Sequence, residues 1–278
     1  MGADLKSVPV ILRQRSRFWH FNAHAILCEG EAAVVDPGIF PDELDRFAQT
    51  IAARGARVRE VILTHSHHDH IRGWQRFQGA RVVVPKRLQE KDATARARIL
   101  AAKAAVDAKF GVDDPGFSYP EPGLAFDEET TLYVGGSEVL LRMNPGHSDC
   151  SSVVIVPAAR ALFSGDYLVS PGMPYCRWRV DRHVGALENV ARWAEEFAVE
   201  TACPAHNDPI QGKAAIGEAL RLEKEYFDCL RQIVAELFQQ KLPEEELIKE
   251  TARRIRPGKL WEQDRDNARR ALRELRGA

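Results

Sequence analysis

Six consecutive residues that follow a short apolar stretch constrain the fold more than any other segment of the chain. The stretch is Val61-Ile62-Leu63-Thr64, and the residues that follow are His65-Ser66-His67-His68-Asp69-His70. Imidazole is the commonest metal ligand in proteins, and imidazole nitrogen with carboxylate oxygen is a donor set that suits zinc. No packing requirement groups four imidazoles and a carboxylate in this way. The run therefore predicts a metal site at the end of a buried strand.

Three further donors follow short apolar runs of the same kind. His147 comes after residues 138–143 and a turn, Asp166 comes after residues 161–165, and His206 comes after residues 201–205. Such runs are typical of buried strands, and in layered α/β folds sites gather where the carboxyl ends of strands meet. One zinc ion uses three or four ligands, so a set of seven suits two ions. The seven candidate ligands are His65, His67, Asp69, His70, His147, Asp166 and His206.

The histidine run resembles the HxHxDH motif of the metallo-β-lactamase superfamily, and the later donors match that family in order. The other matching segments are Pro145-Gly146-His147-Ser148, Phe163-Ser164-Gly165-Asp166, Pro204-Ala205-His206 and, upstream, Val34-Val35-Asp36-Pro37-Gly38. The resemblance covers most of residues 10–212. It implies an α/β fold, the αββα sandwich of that superfamily, with a metal site among the loops at the strand ends.

The resemblance also implies a role for each donor. The first metal would be held by His65, His67 and His147. The second would be held by Asp69, His70 and His206, and Asp166 would bridge the two. The implied cofactors are two divalent cations per chain, most readily Zn²⁺, with Mn²⁺ or Fe²⁺ as alternatives.

Other polar residues near the donors are assigned different roles. Asp36 and Thr64 are expected to bond to ligands rather than to metal, because ligating imidazoles usually donate their second N–H to an oxygen. His68 stands at the variable position of the motif and is expected to line the pocket. Three histidines lie outside any donor cluster and are interpreted as ordinary hydrogen-bonded or surface residues: His20, His24 and His183.

The implied chemistry is hydrolysis. Two divalent cations can lower the pKa of a shared water from about 15.7 toward roughly 7 and polarise the oxygen of the substrate. Asp69 is the candidate catalytic residue, because its carboxylate could take a proton from the nucleophile and return it to the leaving group. Tyr167 and Tyr175 could donate to an oxyanion, although structural packing is the simpler interpretation of both.

Composition limits the class of protein. The chain has 278 residues, 45% of them hydrophobic, and a formal net charge of −1, so it shows no global bias toward nucleic acid or anionic membranes. The sequence lacks a run of the ~20 apolar residues that a membrane span needs, and its first residues do not resemble a signal peptide. We therefore expect a cytoplasmic protein with no membrane partner. The five cysteines form no CxxC pair, which favours reduced thiols.

Helical signals alternate with the strand signals. Apolar spacing predicts helices over residues 42–54 and 184–197, and a composition rich in alanine and charge predicts another over residues 87–110. Residues 111–131, rich in Gly, Pro and acidic side chains, are expected to be an irregular loop. Together residues 87–131 form a candidate lid or wall for the active site, with a peripheral packing helix as the alternative.

The character of the chain changes after residue 213. We predict a catalytic domain over residues 1–213 and a C-terminal helical extension, which could be winged-helix-like, over residues 214–278, with helices at 214–240, from Pro243 onward and at 264–276. Residues 253–276 carry nine Arg or Lys against four acidic residues. This excess could face RNA, could be a solvated helix face, or could contribute to a homodimer interface.

The first-choice function is hydrolysis of a carboxylic ester, thioester or lactone, with a small molecule as substrate. Asp166 at the bridging position and the missing export signal point away from true β-lactamases. Phosphodiester cleavage in RNA is the alternative, and RNA is not favoured as a partner because the chain is near neutral. Oxygen chemistry at a single iron is a lesser alternative, and a regulatory protein with a relic site is disfavoured by the complete set of donors.

Overall fold

Two six-stranded sheets build the centre of the molecule in a computed structural model that describes residues 7–114, 116–169, 174–259 and 261–277. The first sheet contains, in spatial order, β1 (Val10–Arg15), β2 (Asn22–Cys28), β3 (Glu31–Val35), β4 (Arg57–Ile62), β5 (Arg81–Pro85) and β6 (Leu124–Phe126). Strands β1 to β3 are antiparallel, whereas β3 to β6 run parallel to one another.

The second sheet is built from the later half of the chain. It contains β7 (Glu129–Val134), β8 (Ser137–Met143), β9 (Ser152–Val156), β10 (Ala161–Gly165), β11 (Thr201–Pro204) and β12 (Ile210–Gln211). Neighbouring strands are antiparallel except for β10 and β11, which are parallel.

Eight helices cover the outer faces and one end of the sandwich. They are α1 (Pro41–Ala53), α2 (His68–Ile71), α3 (Lys86–Gln89), α4 (Ala93–Phe110), α5 (Val180–Glu196), α6 (Lys213–Gln239), α7 (Glu244–Ile255) and α8 (Glu262–Leu275) in the described residues. No helix in the described part of the chain is long and apolar enough to cross a bilayer.

The strand period of two divides the side chains between the layers. Val35 and Ile62 point between the sheets, where they pack with Phe163 of β10. Their neighbours Val34 and Val61 face the opposite way and pack against helix α1. The outer face of the second sheet packs on α5 and the C-terminal helices. The predicted αββα sandwich with a C-terminal helical extension is confirmed.

The predicted helices start and end close to the observed ones, except within residues 87–131, where two predictions were wrong. Residues 87–110 form two helices rather than one, because Asp92 caps α4 by accepting a hydrogen bond from the Ala95 N–H at 2.7 Å. The expected irregular loop at 111–131 contains β6 and the start of β7. Strand β6 has only three residues, too few for a sequence pattern, yet Phe126 is buried between the sheets and stabilises it.

After Gly212 the described residues, 213–259 and 261–277, are helical and contain no strand pair that would form a wing. Helices α6, α7 and α8 contact one another through Phe227, Leu247 and Leu272, and these residues share a hydrophobic cluster with α5 and the second sheet. All five cysteines are free thiols, as predicted.

The hairpin between β7 and β8 provides a test of how the sheets pack. A Cβ on Gly135 would stand 2.1 Å from the Cys28 carbonyl oxygen, whereas a Cβ on Gly136 would meet nothing closer than 4.0 Å, and both glycines have positive φ. Gly135→Ala should therefore lower the free energy of unfolding by about 1–3 kcal/mol more than Gly136→Ala. Urea denaturation measures both, and equal losses would contradict the close approach of this hairpin to β2.

Candidate metal centre

The predicted donors meet at one edge of the sandwich, where strands of both sheets end. The histidine run follows β4 and enters α2, His147 lies in the loop between β8 and β9, and Asp166 directly follows β10. The two sheets are joined at this edge because the backbone N–H and the hydroxyl of Ser152 both donate to the Thr64 carbonyl, at 3.0 and 2.9 Å. The loops that carry the donors are thereby held side by side.

Four donors form a first cluster. His67 Nδ1 lies 2.8 Å from His65 Nε2 and 3.0 Å from His147 Nε2. Asp166 Oδ2 lies 3.1 Å from His147 Nε2 and 3.8 Å from His65 Nε2. Three imidazole nitrogens and one carboxylate oxygen therefore converge on one small volume.

The remaining donors form a second cluster beside the first. His206 Nε2 lies 3.4 Å from Asp69 Oδ2, and His70 Nε2 lies 4.0 Å from Asp69 Oδ1. Asp166 Oδ1 lies 3.1 Å from His70 Nε2 and 3.6 Å from His206 Nε2. The structure thus brings all seven predicted donors together, and the two oxygens of Asp166 face different clusters.

Hydrogen bonds on the far side of the rings fix which nitrogen faces inward. His147 Nδ1 donates to the Tyr175 carbonyl at 2.5 Å, and His206 Nδ1 donates to the Trp19 carbonyl at 3.0 Å. A carbonyl only accepts, so in both rings the proton is on Nδ1 and the Nε2 lone pair points into the site. This arrangement orients imidazoles for a metal ion.

A buried carboxylate, that of Asp36, performs the same task for His70. Asp36 Oδ2 lies 2.8 Å from His70 Nδ1 and also accepts from the Thr64 hydroxyl, while Oδ1 accepts from the Thr64 N–H. Asp36 and Thr64 therefore bond to a candidate ligand and to the backbone of the motif, as the sequence indicated.

The electrostatics of the donors fit divalent cations. Burial lowers the pKa of His147 to about 4, so this imidazole is neutral and its lone pair is free at neutral pH. Burial also opposes the charging of His70, yet Asp166, Asp36 and Asp69 together raise its pKa well above the ordinary value. Three carboxylates in one buried site thus favour positive charge there, which divalent cations would supply.

The C-terminal helices hold the carbonyl that orients His147. Asn267 of α8 is fully buried, and its Oδ1 accepts from the Cys176 N–H at 3.0 Å while its Nδ2 donates to the Pro174 carbonyl at 2.8 Å. The residue between these two, Tyr175, carries the carbonyl that accepts from His147. Sequence reasoning missed Asn267, because nothing in the sequence distinguishes this asparagine within an arginine-rich helix.

The two tyrosines considered as oxyanion donors use their hydroxyls elsewhere. The Tyr167 hydroxyl donates to the Asn144 carbonyl at 2.6 Å and accepts from the His147 N–H at 3.0 Å. The Tyr175 hydroxyl donates to Asp266 at 2.8 Å. Both tyrosines therefore position the loops around His147, in agreement with the simpler interpretation.

The histidines placed outside the site lie outside both clusters. His20 accepts a hydrogen bond from Arg15, and His24 is buried with its ring 5.1 Å from that of Phe163. His183 is buried beside Glu223 with 3.0 Å between His183 Nε2 and Glu223 Oε1.

A cavity of about 410 Å³ opens in front of both clusters, and His68 lines it together with the donors. Helix α4 forms one wall through Arg98, Ile99 and Ala102, so the segment 87–131 contributes a wall, one of its two predicted roles. Trp261 and Gln263 bring the C-terminal extension into the lining.

Comparison with known proteins gives one family match and several structural neighbours. The model of the metallo-beta-lactamase superfamily matches residues 22–206. A metallo-beta-lactamase family protein from Thermus thermophilus superposes with a TM-score of 0.70 at 18% identity over 97% of this chain and 93% of that chain. The sec-alkylsulfatase Pisa1 from Pseudomonas sp. superposes with a TM-score of 0.68 at 16% identity over 91% of this chain and 47% of that chain. At these identities the likeness shows the fold alone.

A curated relative matches a shorter segment. The hydroxyacylglutathione hydrolase of Stenotrophomonas maltophilia (strain R551-3) is 40% identical over 75 residues, which are 26% of this chain and 27% of that protein. The match therefore spans about a quarter of the relative.

Asn267→Ala should weaken zinc binding roughly 10-fold, because the Tyr175 carbonyl would no longer be held against His147 Nδ1. Competition with a chromophoric chelator measures the affinity, and circular dichroism verifies the fold. Thr251→Val is the matched control, since Thr251 is equally buried on α7 and its hydroxyl has no hydrogen-bond partner in the described residues. Unchanged affinity in a folded Asn267→Ala protein would disprove the link between α8 and His147.

Proposed function

Because this chain belongs to the metallo-beta-lactamase superfamily, whose members are metal-dependent hydrolases, we propose that it hydrolyses a carboxylic ester, thioester or lactone at a centre of two divalent cations. The observation that carries the proposal is the position of Asp166. Its two carboxylate oxygens face separate clusters of donors, each 3.1 Å from the nearest imidazole nitrogen. One carboxylate can thus serve two cations and offset charge on both.

The proposed ligands follow from the two clusters. The first cation would be held by His65, His67, His147 and Asp166, and the second by Asp69, His70, His206 and Asp166. Cations held by these residues, zinc in the first instance, would supply a water activated at neutral pH and would polarise the oxygen of the substrate.

Asp69 has a second proposed role as a proton relay. It lines the cavity, and although burial works against ionisation, the neighbouring histidines hold its pKa well below the ordinary value. The carboxylate is therefore ionised and able to accept a proton at neutral pH. Asp69 would then return that proton to the leaving group.

Two observations favour a small acyl substrate over RNA. The name of the curated relative describes hydrolysis of an acyl derivative of glutathione. In the C-terminal extension, acidic side chains pair with several of the arginines that gave the local basic excess. Arg269 contacts Glu262 and Asp266, and Arg254 contacts Glu236 and Glu250. Paired arginines leave less charge for phosphate groups.

Asp166→Ala should lose at least one metal ion per chain and reduce the rate far more than Tyr175→Phe. Removing the shared carboxylate leaves two cations without common compensation, whereas Tyr175→Phe keeps the backbone carbonyl that His147 uses and removes only a hydroxyl that bonds to Asp266 and Arg177, so its effect on kcat should be far smaller. Elemental analysis of both variants and of the wild type, expected near two metals per chain, provides the measurement. A reproducible wild-type value near one would favour the single-iron alternative.

The substrate class is tested with a panel on the metal-loaded protein. Thioesters, carboxylic esters and lactones should be cleaved, and single-stranded RNA and β-lactams should not. Asp69→Asn and Asp166→Ala should abolish the activity and thereby exclude a contaminant. RNA cleavage that falls steeply with salt, in the absence of ester or thioester cleavage, would replace this proposal by the endoribonuclease alternative.

A further inference from the structure

We propose that the substrate carries an anionic group at a distance from the bond that is cleaved, and that Arg98 and Arg177 select for it. This inference rests on the proposed hydrolysis of an ester, thioester or lactone and names the chemical class of molecule that this site accepts. Both arginines line the cavity in front of the metal centre.

The charge of the cavity is the first argument. Its acidic lining residues are Asp69 and Asp166, and both belong to the donor clusters. With those carboxylates committed to the proposed cations, the charged groups left to meet a substrate among the described lining residues are the two guanidinium groups. A concave site lined by one sign of charge raises the local concentration of ligands of the opposite sign.

The two arginines are also free to bind. Arg98 and Arg177 are exposed, and within the described residues neither has an acidic side chain within 4 Å. This contrasts with the paired arginines of the C-terminal extension, such as Arg254 and Arg269. A cation that faces a cavity and has no acidic partner among the described residues is suited to a carboxylate, sulfate or phosphate group of a ligand.

Arg177 is anchored close to the metal centre. Its Nη1 donates to the Tyr175 hydroxyl at 3.0 Å, and its guanidinium carbon lies 5.2 Å from the centre of that ring. Since the Tyr175 carbonyl accepts from His147, Arg177 stands on the segment that borders the first cluster. Arg98 reaches the cavity from α4, so the two charges come from different walls.

Apolar surface lies beside the charges. Trp19, Ile99 and Trp261 line the same cavity, and Trp19 is 62% exposed although it is a large hydrophobic residue. Trp19 and His20 both adopt positive φ, at 44° and 54°, a conformation that is unfavourable for residues with side chains and is enriched at functional sites. The Trp19 carbonyl accepts from His206, which ties this strained turn to the second cluster. The expected substrate therefore joins an anionic group to an apolar portion.

Matched substrate pairs test the proposal. The first pair consists of S-acetyl-3-mercaptopropionate and the S-acetyl thioester of 3-mercaptopropionamide. The second pair consists of the mono-methyl thioester of succinate and the methyl thioester of succinamate. One pair places the charge on the leaving thiol, and the other places it on the acyl group. We expect the wild type to prefer the charged member of at least one pair by roughly ten-fold in kcat/KM, because each exposed ion pair contributes no more than about five-fold.

The preference for the charged substrate should depend on the two arginines and should be electrostatic. In Arg98→Gln/Arg177→Gln the preference should fall to within about two-fold of unity, and in the wild type it should weaken with salt. Arg54→Gln, which removes an exposed arginine at the end of α1 outside the cavity lining, should keep the wild-type preference.

The outcomes separate this inference from the proposed function. If the wild type cleaves both members of both pairs equally, or if the double variant keeps the preference, the anionic selection is wrong while ester or thioester hydrolysis stands. If the metal-loaded wild type cleaves no ester, thioester or lactone at all, the proposed function is wrong, and the inference that rests on it is wrong with it.

Discussion

The geometry of the candidate metal centre depends on the hydrogen bonds that the buried carboxylate of Asp36 accepts. This carboxylate stands at the end of β3 and is bonded to the Thr64 N–H, the Thr64 hydroxyl and His70 Nδ1. A buried carboxylate without partners would cost several kcal/mol, so these three bonds are strongly favoured. They connect the loop after β3 to Thr64, which precedes the histidine run, and to the imidazole of His70, which faces Asp166. The Thr64 carbonyl then receives both bonds from Ser152 of the second sheet.

The parts of the molecule that sequence could predict are those encoded locally. The family and the sandwich are confirmed, because strand periodicity and the spacing of residues after each strand are visible within a few residues. The convergence of the seven donors also followed from their positions at strand ends, while their roles as ligands stay predictions. Strand β6 could not be foreseen, since its stability comes from burial of Phe126 between sheets rather than from a local pattern.

The residues that sequence reasoning missed take part in contacts between distant parts of the chain. Asn267 is separated from Cys176 by 91 positions, and the Trp19 carbonyl from His206 by 187. Such contacts depend on the packing of α8 and of the loop before β2, and no periodicity or motif marks either residue. The C-terminal helices bind the segment around Tyr175 and also line the cavity, so they are built into the site rather than attached beside it.

The sequence order of the two sheets bears on how the protein matures. Residues up to Phe126 build the first sheet and contribute His65, His67, Asp69 and His70, while the later residues build the second sheet and contribute His147, Asp166 and His206. Each cluster therefore combines donors from both halves of the chain. During synthesis, a nascent chain that ends before His206 lacks a complete second cluster, and one that ends before α8 lacks the support of Tyr175. Because metal capture is linked to folding, any cation that these donors hold would be captured only after the later segments have been made.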